Sequence, residues 1–153
     1  MKIQAAVARE PRGKFPAGEV EPPEPNADEV LVRLVATGTC HTDLAIVEEI
    51  MPLPLPMVLG HEGAGVVESV GANVTDVAVG DHVVLTFLTC GACKPCSHGH
   101  PSYCEQYGVL NFFTRRPDGS ATITSSDGDA LGGAFFSQSS FATYAIANHR
   151  NAI

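Results

Sequence analysis

Basic residues are scarce, with 9 Lys and Arg against 17 Asp and Glu and a formal net charge of −8 over 153 residues. A nucleic-acid or anionic-membrane surface needs a clustered basic patch, and the few cations here are scattered, which excludes both and points to a small-molecule partner. Long apolar runs are lacking too. The most apolar stretch, Ile50 to Leu59, is short and broken by Pro52, Pro54 and Pro56, so no membrane span is expected. Met1 to Arg9 has charges on both sides of a short apolar run, unlike a secretory leader. Five cysteines cannot all pair within one chain. They are expected to be reduced, and the protein soluble and cytoplasmic. There is no internal repeat or low-complexity tract, and the length suits one domain, 1–153, with its own core.

The periodic signal is mainly that of strands. Lys2 to Ala8 and Val30 to Thr37 are rich in β-formers, and in the second Val30, Val32 and Leu34 alternate with Leu31, Arg33 and Val35, so at least one face is buried. Seven Gly and Pro residues make Glu10 to Ala27 a turn-rich connection between two strands of one sheet. Thr42 to Glu49 reads as one or two helical turns, capped by Thr42 or Asp43 and stopped by the proline run. Ala64 to Val70, Asp81 to Thr86 (with His82 as a plain strand residue) and Ser140 to Ile146 read as further strands bounded by Gly or Asn turns. Tyr107 to Gly133 reads as a long surface excursion, with Phe112, Phe113, Arg115 and Arg116 embedded in Gly, Ser, Asp and Thr. Many short strands and turns imply a mainly β domain with short helices, barrel-like in form.

Four of the cysteines, Cys90, Cys93, Cys96 and Cys104, have the spacing C-x2-C-x2-C-x7-C. Two residues between neighbours let a turning backbone aim successive sulfurs at one point, and the longer excursion lets the fourth complete a tetrahedron, as in a structural four-thiolate zinc site. His98 and His100 flank this loop, but four thiolates already saturate a tetrahedral ion, so both are expected to be solvated, as is Lys94. The fifth cysteine, Cys40, stands upstream in Gly38-Thr39-Cys40-His41-Thr42-Asp43, and Gly60-His61-Glu62 supplies further ligand types. One saturated site and one with fewer protein ligands is the usual division between a structural and a catalytic metal.

Taken together these features resemble the N-terminal catalytic domain of the zinc-dependent medium-chain alcohol dehydrogenases. Three matches carry the resemblance: Gly60-His61-Glu62-x-x-Gly65-x5-Gly71-x-x-Val74, Cys40 followed by His41-Thr42-Asp43, and the four-cysteine lobe. The segments Arg116-Pro117-Asp118-Gly119-Ser120 and Phe135 to Tyr144 resemble the aryl-alcohol (benzyl-alcohol) branch. The resemblance implies a GroES-like, partly open β-barrel with a zinc-binding lobe. It implies Cys40 and His61 as ligands of a catalytic zinc, Glu62 as an alternative ligand, Asp43 as the acceptor that orients His61, Thr42 as the proton relay and His41 beside the cofactor pyrophosphate. In such enzymes zinc lowers the pKa of the alcohol, and hydride passes to NAD or NADP as the aldehyde or ketone forms.

The sequence departs from the family pattern in three places. A second cysteine ligand is not found in the 153 residues. Gly63-Ala64-Gly65 lacks the third glycine of a dinucleotide-binding turn and runs into a strand, so the Rossmann half is not present in these residues. Ala45 stands where some relatives carry a relay histidine. The expectation is therefore a catalytic-domain fragment, inactive alone, of a longer and homo-oligomeric dehydrogenase acting on an alcohol or aldehyde. The alternative is a non-catalytic zinc-stabilised module for binding or assembly.

Overall fold

The computed structural model describes residues 1–153. Nine strands form two sheets. In β1 (Ile3–Ala8) the odd positions Ile3, Ala5 and Val7 are buried, the period of two that buries one face of a strand. It pairs antiparallel with β2 (Ala17–Glu21) and with β4 (Met57–Val58). The order of this sheet is β4-β1-β2-β7-β8, with β7 at Ile123–Ser125 and β8 at Ala130–Leu131. Met57 bridges to Gly132, which brings the two ends of the sheet together.

The second sheet has the order β6-β5-β3-β9. Its centre is β3 (Glu29–Thr37), flanked by β5 (Gly63–Val70) and β9 (Tyr144–Asn148), with β6 (His82–Val84) outside β5. Val30 and Val32 are fully buried and Val35 is exposed, the expected division of faces. Gly65 lies so close to β3 that a Cβ would sit 2.2 Å from the Arg33 carbonyl oxygen. Phe141 to Thr143 join the sheets: Ala6 N–H donates to Phe141 O, Thr143 N–H to Gln4 O and Leu34 N–H to Thr143 O. The result is the barrel-like, mainly β architecture expected, with three short α-helices: α1 (His41–Val47), α2 (Lys94–Ser97) and α3 (Tyr107–Phe112).

Several expectations need correction. The turn-rich connection joins β1 and β3 of different sheets, not two strands of one, and it contains β2, which the alternation rule misses because Val20 is its one buried residue. Cys40, not Thr42 or Asp43, is the N-cap of α1, and its N–H donates to the Asp43 carboxylate (3.1 Å). The helix ends at Val47, before the prolines, and Glu49 has a φ of 60°. The strand expected over Ser140 to Ile146 begins at Tyr144, because the residues before it bond to the other sheet. The strand expected over Asp81 to Thr86 is confined to His82–Val84.

The surface excursion is also not a bare loop, since it contains α3, β7 and β8. Its anchor is Arg116, which is 7% exposed. The guanidinium donates to both Glu29 oxygens (2.6–3.1 Å) and to the carbonyls of Glu24 and Ala121. Arg116→Ala leaves the Glu29 carboxylate without its partner. A loss of about 3 kcal/mol is expected in urea denaturation, in line with breaking a buried pair from one side; a change within error would mean that solvent reaches Glu29 freely.

Candidate metal centres

The first cluster is held at the start of α1 and at the turn entering β5. The N-cap position places Cys40 beside Thr42, whose hydroxyl is 3.4 Å from the Cys40 sulfur. Asp43 is 2% exposed, and its carboxylate accepts from the amides of Cys40 (3.1 Å) and Gly60 (2.9 Å). The same carboxylate lies 3.3 Å from His61 Nδ1. One buried acid thus ties the two segments together and fixes the imidazole. Gly60 makes the turn with a φ of 86°, and a Cβ there would meet the Phe141 amide nitrogen at 2.6 Å. Phe136 stacks on the His61 ring with centroids 4.5 Å apart.

Electrostatics follow from these contacts. Hydrogen bonds from Thr42, and then from His61, hold the Cys40 thiol below its ordinary range. Burial alone would raise the Asp43 carboxyl, but donors from His61, Gly60 and Cys40 outweigh it and leave it below the usual value. Burial works against His61, yet Asp43 and Cys40 together raise it. The ligand atoms of Cys40, His61 and Glu62 lie within 4.8 Å of one another. One sulfur, one imidazole nitrogen and a carboxylate make a donor set suited to zinc with a position left open. A cavity of about 380 Å³ adjoins it, with Val84, Leu85, Phe87 and Phe136 in its walls beside His61 and Glu62. His41 is exposed at the first position of α1.

The second cluster is the four-cysteine lobe. The ligand atoms of Cys90, Cys93, Cys96 and Cys104 also lie within 4.8 Å of one another. Cys93 Sγ is 3.4 Å from Cys96 Sγ and 4.0 Å from Cys104 Sγ. Tetrahedral Zn–S bonds of about 2.3 Å put sulfurs about 3.8 Å apart, so the donor set fits the ion. Amides of Ala92 and Cys93 hold Cys90 down to about 6, while burial and the neighbouring thiols push Cys96 up to about 12. A partly protonated set must release protons as it takes a cation, so affinity should rise with pH. His98 and His100 are exposed, as is Lys94. Arg150 donates to Cys90 O (2.7 Å), tying the lobe to the segment after β9.

Residues 26–153 match the alcohol dehydrogenase GroES-like domain. The chain belongs to that family. Over its full length it is 46% identical to a geraniol dehydrogenase of Castellaniella defragrans and spans 41% of that enzyme. A zinc-binding alcohol dehydrogenase domain protein from Burkholderia ambifaria matches it with a TM-score of 0.98 at 51% identity, and the benzyl alcohol dehydrogenase of Acinetobacter calcoaceticus with 0.92 at 42%. Both alignments cover the whole of this chain and 41% of the solved one. The GroES-like fold and the zinc-dependent medium-chain alcohol dehydrogenase resemblance are thereby established. No helix is long and apolar enough to cross a membrane.

The expected residues fall into these two groups, apart from His41, which is exposed and follows Cys40 at the start of α1. Phe136, for which the sequence offers a core place or one facing an aromatic substrate, and Gln138, which it offers only as part of a branch-like segment, also reach the first group. The paired aromatics were the available signal, but their direction depends on a turn in which Phe136, Ser137 and Ser139 all adopt positive φ.

Proposed function

We propose that the chain is the catalytic domain of a zinc-dependent alcohol dehydrogenase that interconverts an alcohol and its aldehyde or ketone with NAD or NADP. The observation that supports this most is the buried Asp43 carboxylate, which holds the Cys40 amide, the Gly60 turn and the His61 ring at one point. Cys40 and His61 are the zinc ligands and Glu62, on the exposed side, is the exchangeable one. Zinc held there supplies a Lewis acid that polarises an alcohol or carbonyl oxygen. Asp43 orients the imidazole through Nδ1 and leaves Nε2 for the metal. Thr42 holds and passes the hydroxyl proton of the substrate. The four-cysteine lobe carries a second, structural zinc. The cofactor-binding Rossmann domain, and contacts that make the parent a homo-oligomer, belong to the longer protein.

The walls of Phe87, Phe136 and Val84 favour a flat, apolar alcohol of benzylic or allylic kind, in keeping with the relatives that are a benzyl alcohol and a geraniol dehydrogenase. The test is oxidation of benzyl alcohol by the full-length protein with NAD+ and with NADP+. Reduced cofactor is expected with one of them, and none with either would overturn the reading. Thr42→Val in the same protein should lower kcat about 100-fold, the usual scale for a lost proton-transfer group, with zinc content unchanged. Normal turnover would remove Thr42 from the relay.

A further inference from the structure

Gln138 is fully buried, with 0% exposure, and none of the roles above uses it. Its carboxamide is saturated in one orientation. Nε2 donates to His61 O (2.9 Å) and Thr86 O (3.2 Å), and Oε1 accepts from the Gly63 amide (3.0 Å). The same side chain thus grips the backbone on both sides of Glu62 and ties it to the strand-like segment after β6. Neighbouring residues continue the grip: Ser140 N–H donates to Gly60 O, Phe141 N–H to Leu59 O, and Ser139 Oγ to Val58 O. The turn that carries Gln138 contains three non-glycine residues at positive φ, Phe136 (49°), Ser137 (54°) and Ser139 (53°). Such a backbone persists only where its surroundings over-determine it. Here it aims Phe136 at one side of the imidazole and the carboxamide at the peptide that bears it.

We infer that Gln138 is the positioning residue of the Cys40, His61 and Glu62 cluster, fixing the course of the 61–63 backbone so that both ligands on it face Cys40. The inference rests on the proposed metal site. Asp43 holds the ring of His61 and Gln138 holds its main chain, and between them the ligand has little freedom left. Only a group with two donors and an acceptor on one terminus can serve these three partners. A carboxylate of the same shape keeps an acceptor for the Gly63 amide but sets its other oxygen, also an acceptor, against the carbonyls of His61 and Thr86, and a thioether leaves all three partners open.

The test uses the full-length protein with Co2+ in the Cys40 site, zinc retained in the four-cysteine lobe, and the variants Gln138→Glu and Gln138→Met. Shifted visible bands of the cobalt site and about a tenfold weaker Co2+ affinity are expected, the scale of losing a partner that orients a ligand. The lobe zinc should stay in place. Variants that melt earlier with unchanged bands and affinity would show a structural role only, and overturn the inference. Should these variants not fold, Gln138→Asn, which keeps the carboxamide but withdraws it by one methylene, is read by the same bands. A wild-type protein that takes up no Co2+ in a Cys40-dependent way would instead overturn the metal site itself, and the inference with it.

Discussion

Cys93→Ser is expected to release one zinc and to unfold the lobe between Cys90 and Cys104. Within that span Cys104 alone is buried, and α2 buries none of its residues. A loop with so little apolar contact has no core of its own to fall back on. Its order is expected to depend on a metal held by the four cysteines, and on the Arg150 bond to Cys90 O from outside. Structural zinc supplies on the order of 10 kcal/mol of folding free energy in zinc-finger peptides. The loss should therefore appear as rapid hydrogen exchange and proteolysis across residues 90–104. The two sheets, whose valine-rich clusters lie elsewhere, should remain. A variant with the zinc content and melting temperature of the parent would contradict the structural role of the lobe.

Asp43→Ala should cost more than any other single change near the first cluster. It removes the acceptor of the Cys40 and Gly60 amides and of His61, and leaves the Gly60 amide buried without a partner. A stability loss of about 3 kcal/mol is expected from the unsatisfied groups and the missing α1 contact. The freed imidazole should weaken metal binding by roughly 10 to 100-fold. Cys40→Ser is the contrast, because the half-buried sulfur leaves no such orphans, so its stability should hardly change. Thermal melts paired with zinc titrations check both effects. An Asp43→Ala protein with normal affinity would show that His61 needs no orienting acceptor.

Much of this was legible in the residues. Cysteine spacing reports the lobe directly, because ligands separated by two residues must share a turn whatever surrounds it. Cys40, Thr42, Asp43, His61 and Glu62 could be grouped through the resemblance, and their side chains do meet. The strands that alternate over many residues, such as β3, were plain. Those that escaped, β2, β4, β7 and β8, are two to five residues long and bury one or two side chains each, too few to set a period. Arg116 read as a surface charge because nothing in its neighbourhood announces Glu29, 87 positions away. The turn over Phe136 to Ser139 was hidden for a further reason. Positive φ at Phe and Ser runs against their local preference and is imposed by tertiary contacts such as the Ser139 bond to Val58 O.

The most direct test of the two-site account is zinc per chain by elemental analysis, on protein purified without chelator, beside the Cys40→Ser variant. Two zincs falling to one are predicted. A single zinc unchanged by the substitution would contradict the first site and leave a zinc-stabilised module whose only metal sits among the four cysteines.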